Sequence, residues 1–176
     1  MERLADYVIC AAGPGDAFAL ARVHVQAWRE TYSGLLPASH LAAMDSIGHA
    51  RRWRRQLTAE APAEVTLVAE GPCGVVGYCA GAVDGAAWGE VSTLYLVNAA
   101  KGVGLGRRLL ASMARVLEAR EARALRLWVL DGNVEARRFY EHLGGLSEAR
   151  RPVSGWGGGF TETAFTWPDI GALASG

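Results

Sequence analysis

Between residues 90 and 120 the chain runs from a β-type strand through a glycine-rich turn into an amphipathic helix, and no other stretch limits the fold as much. The strand is expected over 90–97 and the helix over 104–120, with Leu105, Leu109, Met113, Val116 and Leu117 on the helix's apolar stripe. Three glycines at alternate positions, Gly102, Gly104 and Gly106, strip the turn of side chains. Backbone N–H groups can then converge at the helix N-terminus, where the aligned peptide dipoles favour an anion. Lys101, Arg107 and Arg108 add positive charge. The turn suits a phosphate or pyrophosphate. It also suits an ordinary glycine-rich start to a helix, and by itself it leaves both open.

The two familiar nucleotide patterns do not fit. A Walker A loop needs Lys after its last glycine, and Gly106 is followed by Arg107. In the dinucleotide pattern Gly-x-Gly-x-x-Gly, the third glycine position falls on Arg107 or on Leu109, depending on the starting pair.

The rest of the chain arranges itself around this unit. β-Type runs are expected over 7–11, 64–70, 75–83, 124–130, 146–151 and 162–167, and helices over 17–32, 39–57 and from the Asn133 cap to 143. Gly144 suits the residue just past the last of these helices. The order β-α-α-β-β-β-α-β-α-β-β is a mixed α/β arrangement of the α+β type, not a doubly wound one. No linker or internal repeat divides residues 1–176, so one domain is expected.

Composition narrows the function classes. Eighteen basic and eighteen acidic residues cancel, which argues against a duplex nucleic-acid binder. A hydrophobic content of 51% with 20% charge excludes a disordered chain. Cys10, Cys73 and Cys79 stand in no metal-ligand spacing and suit free thiols in a reducing compartment, so no metal is expected. The charged start lacks the apolar run of a secretory signal, and the uncharged stretch 71–83 is too short and broken to span a bilayer. A cytoplasmic location is expected, with no membrane partner. In the arginine run 51–55, Trp53 belongs to the apolar stripe of its helix, and the arginines beside it read as a solvated face.

A second cluster lies one strand beyond the glycine turn: Asn133, Ala136, Phe139, Tyr140 and Gly144. Together with Lys101-x-x-Gly104-x-Gly106, it resembles the GNAT superfamily of N-acetyltransferases, which move an acetyl group from acetyl-CoA to an amine. The family's turn begins with Gln or Arg where this chain has Lys101, and Gly145 and Leu146 stand where the family often has Phe. The resemblance is strong over 90–146 and extends plausibly over 7–167. It implies a mixed, mostly antiparallel central sheet of about seven strands with about four helices, and a splay between the fourth and fifth strands.

The resemblance also implies roles. Leu94, Tyr95 and Leu96 would pair with the pantetheine arm of acetyl-CoA, and Lys101, Gly102, Val103, Gly104, Leu105, Gly106 and Arg107 would take the pyrophosphate. The Leu96 N–H would face the thioester oxygen. Asn133 serves both as a helix cap and as a donor to the arm. Tyr140 matches the family's proton donor to the leaving thiolate, although from the residues alone it is an aromatic on a buried face. Glu90, at the start of the strand, is the candidate base, with a water relay as the other route. Trp28, Tyr32 and Trp156 are the candidate acceptor-binding residues; His24 reads as a packed histidine. Two functions stay open: an N-acetyltransferase working by direct attack in a ternary complex, and a non-catalytic acyl-CoA-binding sensor or regulatory module. The acceptor would be a small-molecule or peptide amine, and family habit implies a homodimer.

Overall fold

A computed structural model describes residues 3–60, 62, 64–153 and 159–175. One sheet holds β1 (Val8–Ala11), β2 (Val65–Gly71), β3 (Gly74–Val83), β4 (Trp88–Leu96), β5 (Ala124–Leu130), β6 (Leu146–Pro152) and β7 (Thr161–Trp167). Across the sheet the order is β1-β2-β3-β4-β5-β7-β6. Every pairing is antiparallel except that of β4 with β5. A parallel pair needs a crossover, and the helix α4 (Leu105–Glu118) supplies it.

The other helices among the described residues are α1 (Ala17–Tyr32), α2 (Ala38–Ala42), α3 (Ser46–Leu57), α5 (Val134–His142) and α6 (Ile170–Ala174). The single helix expected over 39–57 is thus two. The break is chemical: the Asp45 carboxylate accepts from the N–H groups of Ile47 and Gly48 at 2.9 and 2.8 Å, which starts a new helix there. Asp169 caps α6 in the same way, through the Gly171 N–H at 2.9 Å. Five-residue helices hold too few positions for a periodic signal, which is why α2 and α6 do not stand out in the sequence.

The helix α4 lies on one face of the sheet. Its Leu109, Leu110, Met113 and Leu117 are fully buried, each worth roughly 2 kcal/mol of apolar transfer. Two strand glycines let it come close. A Cβ on Gly81 would stand 2.8 Å from the Glu90 carbonyl oxygen, and one on Gly89 would stand 3.0 Å from the Leu117 side chain. The helix α1 covers the other face, burying Leu20 and Val23.

A β-bulge in β4 decides which side chains meet which helix. Ala80 pairs with Thr93 but Gly81 pairs with Val91, so Ser92 is the extra residue. The alternation of faces therefore reverses there. Val91 and Gly89 face α4 before the bulge, and Leu94 and Leu96 do so after it, leaving Tyr95 to face α1.

On the α1 face the packing includes an ionisable group. His24 Nδ1 lies 2.6 Å from the Tyr78 hydroxyl, and its ring is 4.5 Å from that of His49. Burial, then the neighbouring His49 and Arg52, push the His24 pKa down to about 4. At neutral pH the ring is uncharged and shares a hydrogen bond with the Tyr78 hydroxyl. A histidine depressed in this way binds its proton in the unfolded chain first. Its contribution to stability is fully present above pH 6.5 and is lost as pH falls from 6.5 towards 4. Asp45 and Asp131, whose pKa values are lowered, lose their contributions only below the ordinary carboxylate value of 3.8. His49, depressed too by burial and Arg52, loses its contribution in the same direction; urea unfolding at pH 7.5 and 4.5 is expected to show a clear loss of stability at the lower pH, and His24→Gln is expected to flatten part of that slope.

Candidate active site

The parallel pairing of β4 with β5 runs only from Trp88↔Ala124 to Val91↔Leu127. Beyond it β4 continues to Leu96 and β5 to Leu130, with a gap between them. The Val97 N–H donates to the Val76 carbonyl at 2.9 Å. In an antiparallel ladder the next pair, Gly77↔Leu96, is then the non-hydrogen-bonded kind, and so is Cys79↔Leu94. The backbone N–H and C=O groups of Leu94 and Leu96 accordingly point away from β3, into the gap.

The floor of the gap is the start of α4. Gly102 and Gly104 have φ of +80° and +85°, a left-handed backbone that side-chain-bearing residues adopt at a cost. No side chain caps this helix, because its N-cap residue is Gly104. The N–H groups of Leu105, Gly106 and Arg107 have no acceptor within the helix, so they offer three aligned donors and the positive end of the dipole. Gly106 serves packing instead: a Cβ there would stand 3.3 Å from the Phe139 ring of α5.

The far wall is α5. The Asn133 Oδ1 accepts from the Ala136 N–H at 3.1 Å, which confirms the cap. Tyr140 is 7% exposed and packs against Phe139, Phe165 and Trp167. Burial above all, then the nearby Cys79 and Tyr32, push its pKa far up, so the phenol stays protonated throughout the physiological range. None of the described residues hydrogen-bonds its hydroxyl.

These parts enclose a cleft of about 410 Å³. Leu94, Tyr95 and Leu96 of β4 line it, with Lys101, Gly102, Gly104, Gly106 and Arg107 of the turn and Asn133 and Tyr140 of α5. Val103 and Leu105 do not: Leu105 is 1% exposed in the core and Val103 packs against it, so only their backbones belong to the turn. Arg108 also departs from expectation. Its guanidinium donates to the carbonyls of Leu4 and Tyr7 at 3.0 and 2.9 Å, and it is not among the residues lining the cleft described above. Lys101 is paired with Glu135 across the cleft at 3.4 Å.

Glu90 is not brought to the cleft. Its carboxylate accepts from Arg126 at 2.5 and 3.1 Å, the two residues being directly opposite in the parallel pair. Of the residues expected at the acceptor end, Tyr32 reaches the cleft wall through its hydroxyl, 3.2 Å from that of Tyr95. The Trp28 ring lies 4.9 Å from Tyr32 and 6.2 Å from Tyr95. Trp156 falls outside the described residues. Thr31, Glu135, Phe139, His142 and Leu143 also line the cleft. The helical spacing of 135, 139, 142 and 143 beside Tyr140 is the signal that identifies most of them. Among the described residues no cluster of His, Cys, Asp and Glu is placed to hold a metal, and no helix is long and apolar enough to cross a membrane.

The model of the Acetyltransferase (GNAT) family matches residues 25–145. The Uncharacterized N-acetyltransferase YuaI of Bacillus subtilis (strain 168) is 26% identical over 159 residues, spanning 88% of either chain. The crystal structure of PaiA N-acetyltransferase from Thermoplasma acidophilum in complex with coenzyme A has a TM-score of 0.77 at 16% identity, covering 91% of this chain and 97% of that one. YncA from Salmonella typhimurium, with its cofactor acetyl-CoA, has a TM-score of 0.70 at 20% identity, covering 93% and 94%. At such identities the likeness to these structures is one of fold.

The two duties expected of Asn133 can be separated by substitution. Asn133→Ala is expected to lower stability by about 1 kcal/mol through loss of the cap. Asn133→Ser, which keeps a capping oxygen, is expected to restore most of it in a thermal melt.

Proposed function

The chain belongs to the Acetyltransferase (GNAT) family, and on that premise we propose that it is an N-acetyltransferase moving an acetyl group from acetyl-CoA to a primary amine by direct attack in a ternary complex. The observation that carries this reading is the uncapped, glycine-led start of α4 at the floor of a cleft opened by the splay of β4 from β5. The chemistry of the donor set fits coenzyme A. Aligned N–H groups suit a pyrophosphate, and a strand with outward-facing amides suits the amide-bearing arm.

Each residue's task follows from its place. The backbone from Gly102 to Arg107 binds the pyrophosphate, and Lys101 and Arg107 offset its charge. Leu94 and Leu96 hold the arm as an added strand would be held. Bound acetyl-CoA supplies the activated acyl carbon and a thiol leaving group. The Leu96 N–H donates to the acyl oxygen, where negative charge grows during attack, and a fixed donor there favours the transition state over the ground state. Tyr140, held neutral by burial, donates its hydroxyl hydrogen bond to the departing sulfur. With a thiol pKa near 8.5 below that of a phenol, stabilising the thiolate is its larger contribution.

The amine arrives mostly as ammonium at pH 7 and must lose a proton. The ion pair with Arg126 commits Glu90 elsewhere, so the proton leaves through water in the cleft. Alignment of the two reactants supplies the rest of the rate. On this reading residues 1–176 form one catalytic domain acting on a small-molecule or peptide amine, without a metal.

Calorimetry with coenzyme A and DTNB-detected thiol release over a panel of amines test the proposal. Tight binding without turnover on any amine would favour a sensor over an enzyme. Gly104→Ala is expected to weaken acetyl-CoA binding about tenfold, because an L-residue at this φ costs roughly 1–2 kcal/mol. Tyr140→Phe is expected to lower kcat about 10–100-fold with little change in acetyl-CoA affinity; an unchanged kcat removes Tyr140 from the mechanism.

A further inference from the structure

Concave space continues past the cleft. Three of its lining residues, Arg107, His142 and Leu143, also line a second cavity of about 120 Å³, together with Ala111, Ala172 and Leu173. Arg107 and Ala111 lie one turn apart on α4, His142 and Leu143 stand at the end of α5, and Ala172 and Leu173 belong to α6. The wall that α6 supplies is fixed to its surroundings. The Ile170 N–H donates to the Arg123 carbonyl at 2.9 Å, and Arg115 of α4 donates to the Ala174 carbonyl at 3.1 Å. The helix α6 lies beyond residues 25–145, so this wall is no part of the match to the family model.

The size and chemistry of the second cavity narrow what it can hold. It is well under the roughly 300 Å³ at which sites for whole ligands begin. It therefore suits one part of a larger ligand, and its shared residues connect it to the ligand of the cleft. The Arg107 guanidinium and the His142 imidazole are both flat. Neither side chain has a hydrogen bond or an ion pair among the described residues. A heteroaromatic base stacks on groups of this kind. Ala111 and Leu173 are buried and Leu143 is partly buried, which gives an apolar backing. No carboxylate is among the lining residues, so nothing there selects a cation.

Resting on coenzyme A as the ligand of the cleft, as proposed above, we infer that this second cavity takes the adenine ring. The pantetheine arm leaves the glycine turn along Leu94 and Leu96, so the nucleotide leaves it on another side. The space beyond Arg107 is contiguous with the cleft and matches one base in size and character. The donor is then read at three places: the arm on β4, the pyrophosphate on α4, and the base between α4, α5 and α6. A thioester on the same arm without its nucleotide forfeits the third.

Calorimetry with coenzyme A, 3′-dephospho-coenzyme A and 4′-phosphopantetheine tests this, because only the first two carry adenine. Ala172→Phe fills the cavity from an exposed position. It is expected to weaken both adenine-bearing ligands about tenfold, the scale of one lost stacking contact. The affinity for 4′-phosphopantetheine is expected to stay unchanged, which also reports that the cleft is folded. His142→Ala is expected to show the same selective loss, and His142→Phe, which keeps a flat ring, to restore most of it. Equal loss for all three ligands, no loss for any, or a loss confined to coenzyme A with its 3′-phosphate overturns the inference. None of these ligands carries an acyl group, so the result is independent of turnover. Failure of thiol release on every amine strikes the acetyltransferase reading alone, and no heat with coenzyme A from the unaltered chain overturns both.

Discussion

Everything at the cleft follows from four residue pairs of parallel β-ladder and their abrupt end at Val91 and Leu127. Up to that point β4 and β5 satisfy one another's backbone groups. Past it, β4 is still a paired strand on its β3 side but an open edge on the other. An open edge in a sheet interior is ordinarily a liability, because unpaired N–H and C=O groups cost free energy unless water or a partner satisfies them. Here the glycine turn and α4 begin directly after that edge, so unpaired strand groups and unpaired helix donors line one gap. A partner long enough to satisfy both must be amide-like at one end and anionic at the other.

Different parts of this arrangement were legible in the sequence to different degrees, for physical reasons. The turn and α4 stand out because their signals are local: alternate glycines, then apolar residues at helical spacing. Asn133, Phe139, Tyr140 and Gly144 are similarly local on α5 and its end. The bulge at Ser92 belongs to the pairing of two strands, and nothing in β4 alone marks it. Glu90 shows the same limit. As a strand-end carboxylate it reads as free, yet it is held by Arg126, 36 residues away, across the parallel pair. Val103 and Leu105 show another: a glycine-rich spacing locates a turn but does not tell which intervening side chain drops into the core. Arg108 beside Arg107 is equally undetermined until the N-terminal carbonyls are seen to claim it.

Burial performs two different jobs on the two faces of the sheet. On the α4 face it raises the pKa of Tyr140 and keeps the phenol a donor. On the α1 face it lowers that of His24 and keeps the imidazole uncharged beside the Tyr78 hydroxyl. Both groups are neutral for the same reason, the cost of charge in an apolar surrounding. Only Tyr140 lines the cleft, so the same physics serves chemistry on one side and packing on the other.

The hold of Arg108 on the carbonyls of Leu4 and Tyr7 joins two parts of the molecule more than a hundred residues apart in the chain. Arg108 sits in the first turn of α4, one residue beyond the donors at its tip, and Tyr7 leads directly into β1 at the sheet's outer margin. The Arg108 guanidinium, together with the Leu4 side chain beside Gly104, therefore ties that margin to the start of α4. The beginning of the chain behaves as a mooring line for the very helix whose tip must stay aimed.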